Sequence, residues 1–250
     1  MRVIGGDPRS NLLRAARMTT EAAAGGADII VFPEAMDLGW THHSASELAE
    51  PIPDGSTFEY LADLAEENAI YLCAGITERD GDHIYNCAVL IDRTGKLLIK
   101  HRKINELQFA QKIYTPGDAP PRVCATEFGL IGVMICADAL IGENTISHEL
   151  GGQHARFVLS PCAWAIPPDH DEDAATYSEQ WIDAYLPIAK RYELWIAAVS
   201  NVGKIRSSEW AGHHCIGSSM LASPDGNLRT ILPFGRDAEA IELIDISTVL

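Results

Sequence analysis

The chain lacks any apolar run approaching the roughly 20 residues that a membrane-spanning helix needs. Its start, MRVIGGDPRS, has none of the apolar core of a signal peptide. Basic residues are scarce: 19 Lys and Arg stand against 35 Asp and Glu, for a net charge of -16. Nucleic acids and anionic membranes both require a basic face, so neither is an expected partner. Neither a Walker loop nor a GxGxxG occurs, which leaves nucleotide binding without support. Six cysteines are present but no CxxC pair, and a disulfide framework is not expected in such a chain. HELGGQH (His148 to His154) spaces its histidines too widely for a zinc helix, and HHC at 213–215 has no second half at ligand spacing. No metal and no cofactor is expected. A cytoplasmic globular protein is expected, with a single domain over residues 1–250, although the length also allows two small ones.

What is present alternates between two periods. Asn11 to Ala24 reads as a helix stopped by Gly25-Gly26, and Ala27 to Phe32 as a strand buried on both faces. Ser56 and Glu59 fit a capping box before a helix through Ala69. YLCAGIT, HIYNCAVLID, LLIKHRK, RVCATEF and IGVMIC read as strands, and the spacing predicts helices near Glu143–Leu150 and over Ala174–Tyr192. ARFVLSPCAW, LWIAAVSNV, HCIGSSMLAS, NLRTILPF and AEAIELIDI complete the strand set. Helices alternate with strands early, β-hairpins close the chain, and the mixture suggests two mixed sheets packed together with helices outside.

Three strand ends carry reactive groups: IIVFPEA leads to Glu34, LLIKHRK to Lys103 and GVMIC to Cys136. Free cysteine is mostly a thiol at neutral pH and needs activation. A carboxylate can take its proton, and an ammonium can stabilise the thiolate and a tetrahedral oxyanion. The Ala137 N–H, just beyond the cysteine, can supply a second oxyanion donor. Taken singly, each of the three is also an ordinary residue: a core cysteine and two strand-end charges.

Together, VFPEAMDLGW, HRKIN and GVMICAD resemble, in order, the three signature segments of the nitrilase, or carbon–nitrogen hydrolase, superfamily. YTPGD, SPCAW, WIAAVSNVG and SPDGNL also have counterparts there, so the resemblance covers nearly the whole chain. It implies a four-layer αββα sandwich, a Glu34–Lys103–Cys136 triad, no metal, a small-molecule amide substrate and homo-oligomers formed through the outer helices. Trp40 and Trp164 are then candidate pocket walls, with Ala137 at the oxyanion.

Departures from the family pattern bear on substrate. The family's second glutamate after the lysine is matched only by Gln111 or Ala110, which suggests Glu106 as the group holding Lys103. Ala137-Asp138 after the cysteine favours amides or ureido compounds over nitriles. Leu140 stands where many relatives carry an arginine, so a substrate carboxylate would need Arg102 or Arg156 instead. The family's first strand is absent or shortened to MRVI. Cys162, His42 and His43 read as filler and solvated loop. Hydrolysis of a small neutral amide is the leading expectation. The alternatives are a ureido hydrolase, a nitrilase, transfer to an amine, or an inactive nitrilase-like binding or regulatory protein.

Overall fold

The computed structural model describes residues 1–140, 145–170 and 174–246. Helix α1 (Pro8–Ala24) starts three residues earlier than its apolar pattern. Pro8 suits the first turn, and the Asp7 carboxylate accepts the Ser10 N–H at 3.1 Å. A short helix α2 (Ala45–Leu48) follows. Helix α3 (Ser56–Glu67) does not use the expected capping box. Ser56 is already helical, and the Glu50 carboxylate from the preceding loop accepts from Ser56 Oγ and the Thr57 N–H. Helices α4 (Thr145–Gly152) and α5 (Ala174–Tyr192) match the two later predictions, although Glu143 lies outside the described residues.

Strands β1 (Ile29–Val31), β2 (Tyr71–Asp80), β3 (His83–Ile91) and β4 (Leu97–Arg102) form one sheet in that order, parallel only between β1 and β2. A six-stranded mixed sheet takes β5 (Val123–Thr126), β6 (Gly129–Val133), β7 (Phe157–Cys162), β9 (Trp195–Ser200), β12 (Met220–Ala222) and β13 (Leu228–Ile231), in the order β13-β12-β9-β7-β6-β5. A third, small antiparallel sheet joins β8 (Ala165–Ile166), β11 (His214–Ile216) and β10 (Val202–Lys204). It exists because LWIAAVSNV breaks at Asn201 and HCIGSSMLAS at Gly217-Ser218. Both Gly217 and Ser218 have positive φ, so each ribbon changes sheet there. MRVI contributes a single bridge, Arg2 with Val202.

The pleat of β2 and β3 sorts the layers. Tyr71, Cys73, Ala88 and Leu90 face the six-stranded sheet and pack with Ile131, Val133 and Leu159. The alternate residues Leu72, Ala74, Ile76, Val89 and Ile91 face Ala15 and Met18 of α1 and Phe58, Leu61 and Leu64 of α3. Helices α4 and α5 add Ile146, Leu150, Tyr185 and Ile188 to the core around the six-stranded sheet, giving the αββα sandwich. AEAIELIDI is not a strand. Through residue 246 it runs as an irregular strap whose Ile241, Ile244 and Ile246 pack on both cores while Glu239 pairs with Arg14 and Arg17. Its alternation reflects burial without a ladder.

Candidate active site

Glu34 follows β1 on a segment that crosses β2 closely. A side chain at Gly75 would meet Glu34 Cα at 2.5 Å, so only glycine lets this backbone lie against the strand. The segment is tied down by Gly75 N–H to Pro33 O (3.1 Å), Met36 N–H to Gly75 O (2.8 Å) and Glu34 N–H to Cys162 O (3.2 Å). Lys103 leaves β4 with its N–H on Asn86 O at 2.8 Å, and Gly117 of the YTPGD loop donates to Lys103 O at 2.8 Å. The Tyr114 hydroxyl, from the same loop, accepts the Thr41 N–H and so links it to the Glu34 segment.

Both side chains are almost wholly buried, 1% exposed each. Lys103 Nζ donates to Glu34 Oε1 at 2.6 Å, and Asn86 Nδ2 donates to the same oxygen at 2.6 Å. Burial disfavours the Lys103 ammonium, but Glu34 and then Glu106 outweigh it and hold its pKa well above the ordinary value. Glu106 lies 3.9 Å from Lys103 Nζ. Gln111 donates through Nε2 to Glu106 O at 3.2 Å. Burial lifts the Glu106 pKa to about 8, with Lys103 opposing and Glu34 and Asp138 adding to the rise. Near neutral pH it is therefore mostly a neutral acid.

Cys136 arrives differently. The β6–β7 ladder ends at Met134, whose N–H reaches Leu159 O at 3.2 Å; the next donor on β7 would be residue 161, and Pro161 has none. The chain then peels away, and Cys136 opens a 3₁₀ turn, Cys136–Ala139, with φ of 44°. That left-handed backbone costs about 1–3 kcal/mol for a residue with a side chain. Burial pushes the Cys136 thiol well above its ordinary pKa; the Cys162 thiol and Glu34 add to this and Lys103 opposes it. Ala137, next in the turn, is 5% exposed.

Asp138 fastens this turn to the lysine loop. Its Oδ2 accepts the Ile135 N–H (3.0 Å) and bonds His101 Nε2 (2.8 Å), while Oδ1 accepts Asn105 N–H (2.9 Å) and Ile104 N–H (3.2 Å). Burial pushes the Asp138 carboxyl up, but His101, the Asn105 N–H and the Lys103 charge outweigh it and hold its pKa below the ordinary value.

The two tryptophans part company. Trp40 has Lys103 Nζ 5.7 Å from its ring centroid and packs edge-on against Phe109 (5.5 Å) and Trp210 (5.3 Å). Trp210 in turn stacks on Phe109 and His213. Trp164 belongs to a separate cluster, stacked on Trp181 at 4.6 Å near Tyr185 and 1% exposed. Its ring lies within the core, whereas Trp40 belongs to an aromatic group beside the lysine. His42 is buried with its ring against Gly5 and Gly6, not solvated, whereas His43 is exposed. Arg102 is committed to Glu78 and Asp80, and Arg156 sits at the opposite end of β7 from Cys162. His148 bonds the Tyr192 hydroxyl. Among the described residues no helix is long and apolar enough to cross a membrane.

Asn86, Asp138, Phe109, Trp210 and His213 were not singled out by sequence reasoning as site residues. Asn86 did leave a signal, as the lone amide in the apolar run of HIYNCAVLI.

Comparison with known proteins gives the family. A nitrilase of Pyrococcus abyssi is 30% identical over 246 residues, covering 97% of this chain and 86% of that protein. The omega-amidase NIT2 of Xenopus tropicalis is 36% identical over 143 residues, which is 53% of this chain and 51% of that protein. Among solved structures, a cysteine-to-alanine mutant of the Nesterenkonia AN1 amidase from the nitrilase superfamily shares the fold. Its TM-score is 0.79, at 20% identity, over 94% of this chain and 85% of that one. The family model described as carbon–nitrogen hydrolase matches residues 4–249, and the chain belongs to that family.

Proposed function

We propose that the protein hydrolyses a small, neutral amide through an acyl-enzyme on Cys136. Glu34 takes the thiol proton as sulfur attacks the carbonyl carbon. Lys103 and the Ala137 N–H face the developing oxyanion, and Glu34 returns the proton to the departing amine. Water, deprotonated by Glu34, then releases the acid. The observation that carries this reading is the fully buried Glu34–Lys103 pair from one sheet meeting a strained, thiol-bearing turn from the other. Burial holds the thiol protonated at rest, so a base within the site is required, and Glu34 is an acidic neighbour of that thiol.

Neutrality of the substrate rests on the committed arginines. With Arg102 and Arg156 occupied elsewhere, a carboxylate would enter beside Glu34 with neither arginine free to neutralise it, which is costly in a buried site. The aromatic group around Trp40 favours an apolar acyl or alkyl portion. A solved structure of the Nesterenkonia amidase is a complex with butyramide, a molecule of this class.

The test is a panel of simple amides, ureido acids and nitriles, read by intact mass for the acyl group on Cys136, with Cys136→Ala as control. The expected outcome is an adduct from neutral amides only, and loss of turnover by about 10⁴-fold or more in the folded control. A control that keeps wild-type rates would overturn the nucleophile assignment. In a matched pair, a clear preference for the free acid over its methyl ester would overturn the neutral-substrate reading.

A further inference from the structure

The pleat of β3 settles which way Asn86 points. Cys87, Val89 and Ile91 pack toward α1 and α3, while Ala88 and Leu90 pack toward the six-stranded sheet. Asn86, in step with Ala88 and Leu90, lies on the face turned to that other sheet. Across the ladder Gly75 pairs with Ala88 and Thr77 with Asn86, so Asn86 stands one rung along from Gly75, where the Glu34 backbone crosses. On its other side the Asn86 carbonyl accepts the Lys103 N–H at 2.8 Å. The backbone thus fixes this residue beside both Glu34 and Lys103.

The ladder asks nothing of the side chain, and a buried amide is unfavourable unless it bonds. Asn86 is 1% exposed, and its Oδ1 has no partner among the described residues. Its Nδ2 donates to Glu34 Oε1 at 2.6 Å, and Lys103 Nζ donates to the same oxygen, also at 2.6 Å. Glu34 Oε2, equally buried, has no partner among the described residues. The two donors therefore divide the carboxylate. An oxygen that accepts two such bonds is the poorer base, and the lone pairs of the other stay free. The last torsion of a glutamate is broad, so a single donor would let the carboxylate plane turn. Two donors, one on β3 and one at the end of β4, meet on Oε1 and fix that plane, and with it the direction of Oε2.

We propose that Asn86 is a positioning residue for the base: with Lys103 it ties up Glu34 Oε1, so that Oε2 is the oxygen that takes the Cys136 proton and later hands it to the departing amine. Asn86 itself exchanges no proton and acts through Glu34 alone. The proposal rests on the reading of Glu34 as the base of an amide hydrolysis, but its first half, removal of the thiol proton, can be read without any amide substrate.

The experiment is a double-mutant cycle on the full chain, pairing Glu34→Gln with Asn86→Leu, which nearly keeps the shape of the amide and removes its donor. The rate of Cys136 alkylation by iodoacetamide, located by peptide mass, reads proton removal from the thiol. Steady-state kinetics on a neutral amide reads the whole reaction. Asn86→Leu should slow alkylation at least about tenfold and lower kcat about 10²-fold, with KM within about threefold of the wild type. In the Glu34→Gln background it should slow alkylation no further, because the oxygen it positions is no longer a base. Should Asn86→Leu fold poorly, Asn86→Ala carries the same expectations. Unchanged alkylation, a loss confined to KM, or slowing that adds in full to that of Glu34→Gln overturns the proposal. A cycle that behaves as expected in a protein without amide turnover faults the amidase reading instead and leaves the positioning role standing.

Discussion

The four-stranded sheet and the six-stranded sheet supply unlike halves of the site. The first delivers Glu34, Asn86 and Lys103, joined by two hydrogen bonds of 2.6 Å and buried to within 1% of completely. The second delivers Cys136 on left-handed backbone beyond the end of its ladder, with another thiol as neighbour. One half is an electrostatic unit whose parts compensate each other; the other is a poised group held out by its turn. A charge buried in a pair can stay charged without water, and a lone thiol buried in the same way stays protonated. The division matches the chemistry proposed: the stable half stores the base and the counter-charge, and the strained half presents the sulfur.

The sharpest way to break this contrast is to unpair the first half. Lys103→Met leaves Glu34 buried without its cation, which costs about 3–5 kcal/mol of stability. It also removes the oxyanion's ammonium, for a loss of about 10³-fold in kcat/KM. Adding Glu34→Gln should return most of the stability and none of the turnover, as read by denaturant unfolding and steady-state kinetics. A single variant as stable as the wild type would show that the pair does not compensate.

A smaller effect is expected where the halves are joined. Asp138→Asn replaces one acceptor oxygen with a donor, so either Ile135 and His101 or Ile104 and Asn105 lose a partner. The cost in stability is about 1–3 kcal/mol. If Asp138 positions the sulfur against the carbonyl, kcat should fall about 10²-fold with KM little changed, since misplacement by about 1 Å has that effect. A stability loss with an unchanged kcat would make Asp138 a structural tie only.

The legibility of the two halves in the sequence differs for the same physical reason. Glu34, Lys103 and Cys136 stand out because each ends an apolar, strand-like run, and a change from apolar to charged is a local signal. Asn86 was equally local but went unread, since one amide in a strand is commonly only a ladder-edge residue. Asp138 was visible beside Cys136, yet its four partners come from β4, the lysine loop and the turn, which no spacing rule connects. The group formed by Trp40, Phe109, Trp210 and His213 draws on segments far apart in the chain and has no period at all. At the fold level, AEAIELIDI has strand alternation and burial, but pairing also needs a free sheet edge, and the strap through residue 246 has no ladder partner. Glu50 capping α3 from outside the helix is a similar case: tertiary placement displaced the local Ser56–Glu59 pattern.

Glu106 offers the finest test, because it sits by the compensated half without being charged at rest. Its carboxyl is about 3.9 Å from the Lys103 ammonium, yet burial and the neighbouring carboxylates lift its pKa to about 8. The native state therefore keeps a proton that the unfolded chain, with an ordinary glutamate near 4.5, gives up. Stability contributed by this proton is complete below about pH 4.5 and is lost as pH rises toward about 8. Glu106→Gln, which is neutral at every pH, should lack that decline. Denaturant unfolding at pH 5 and pH 8 should show the wild type losing on the order of a few kcal/mol more than the variant over the interval. Activity follows the same sign. Ionisation near pH 8 adds a negative charge beside Lys103, weakens its pull on the oxyanion and raises the Cys136 thiol further, so wild-type kcat/KM should fall through an alkaline limb near pH 8. At neutral pH the substitution should change kcat/KM by no more than about threefold, because amide and neutral acid are alike in charge and nearly so in shape. The limb should flatten in the variant. A limb that persists in Glu106→Gln assigns the alkaline loss to another group, and a large loss at neutral pH would show that Glu106 acts as a carboxylate there after all, making the charged half a triad of its own.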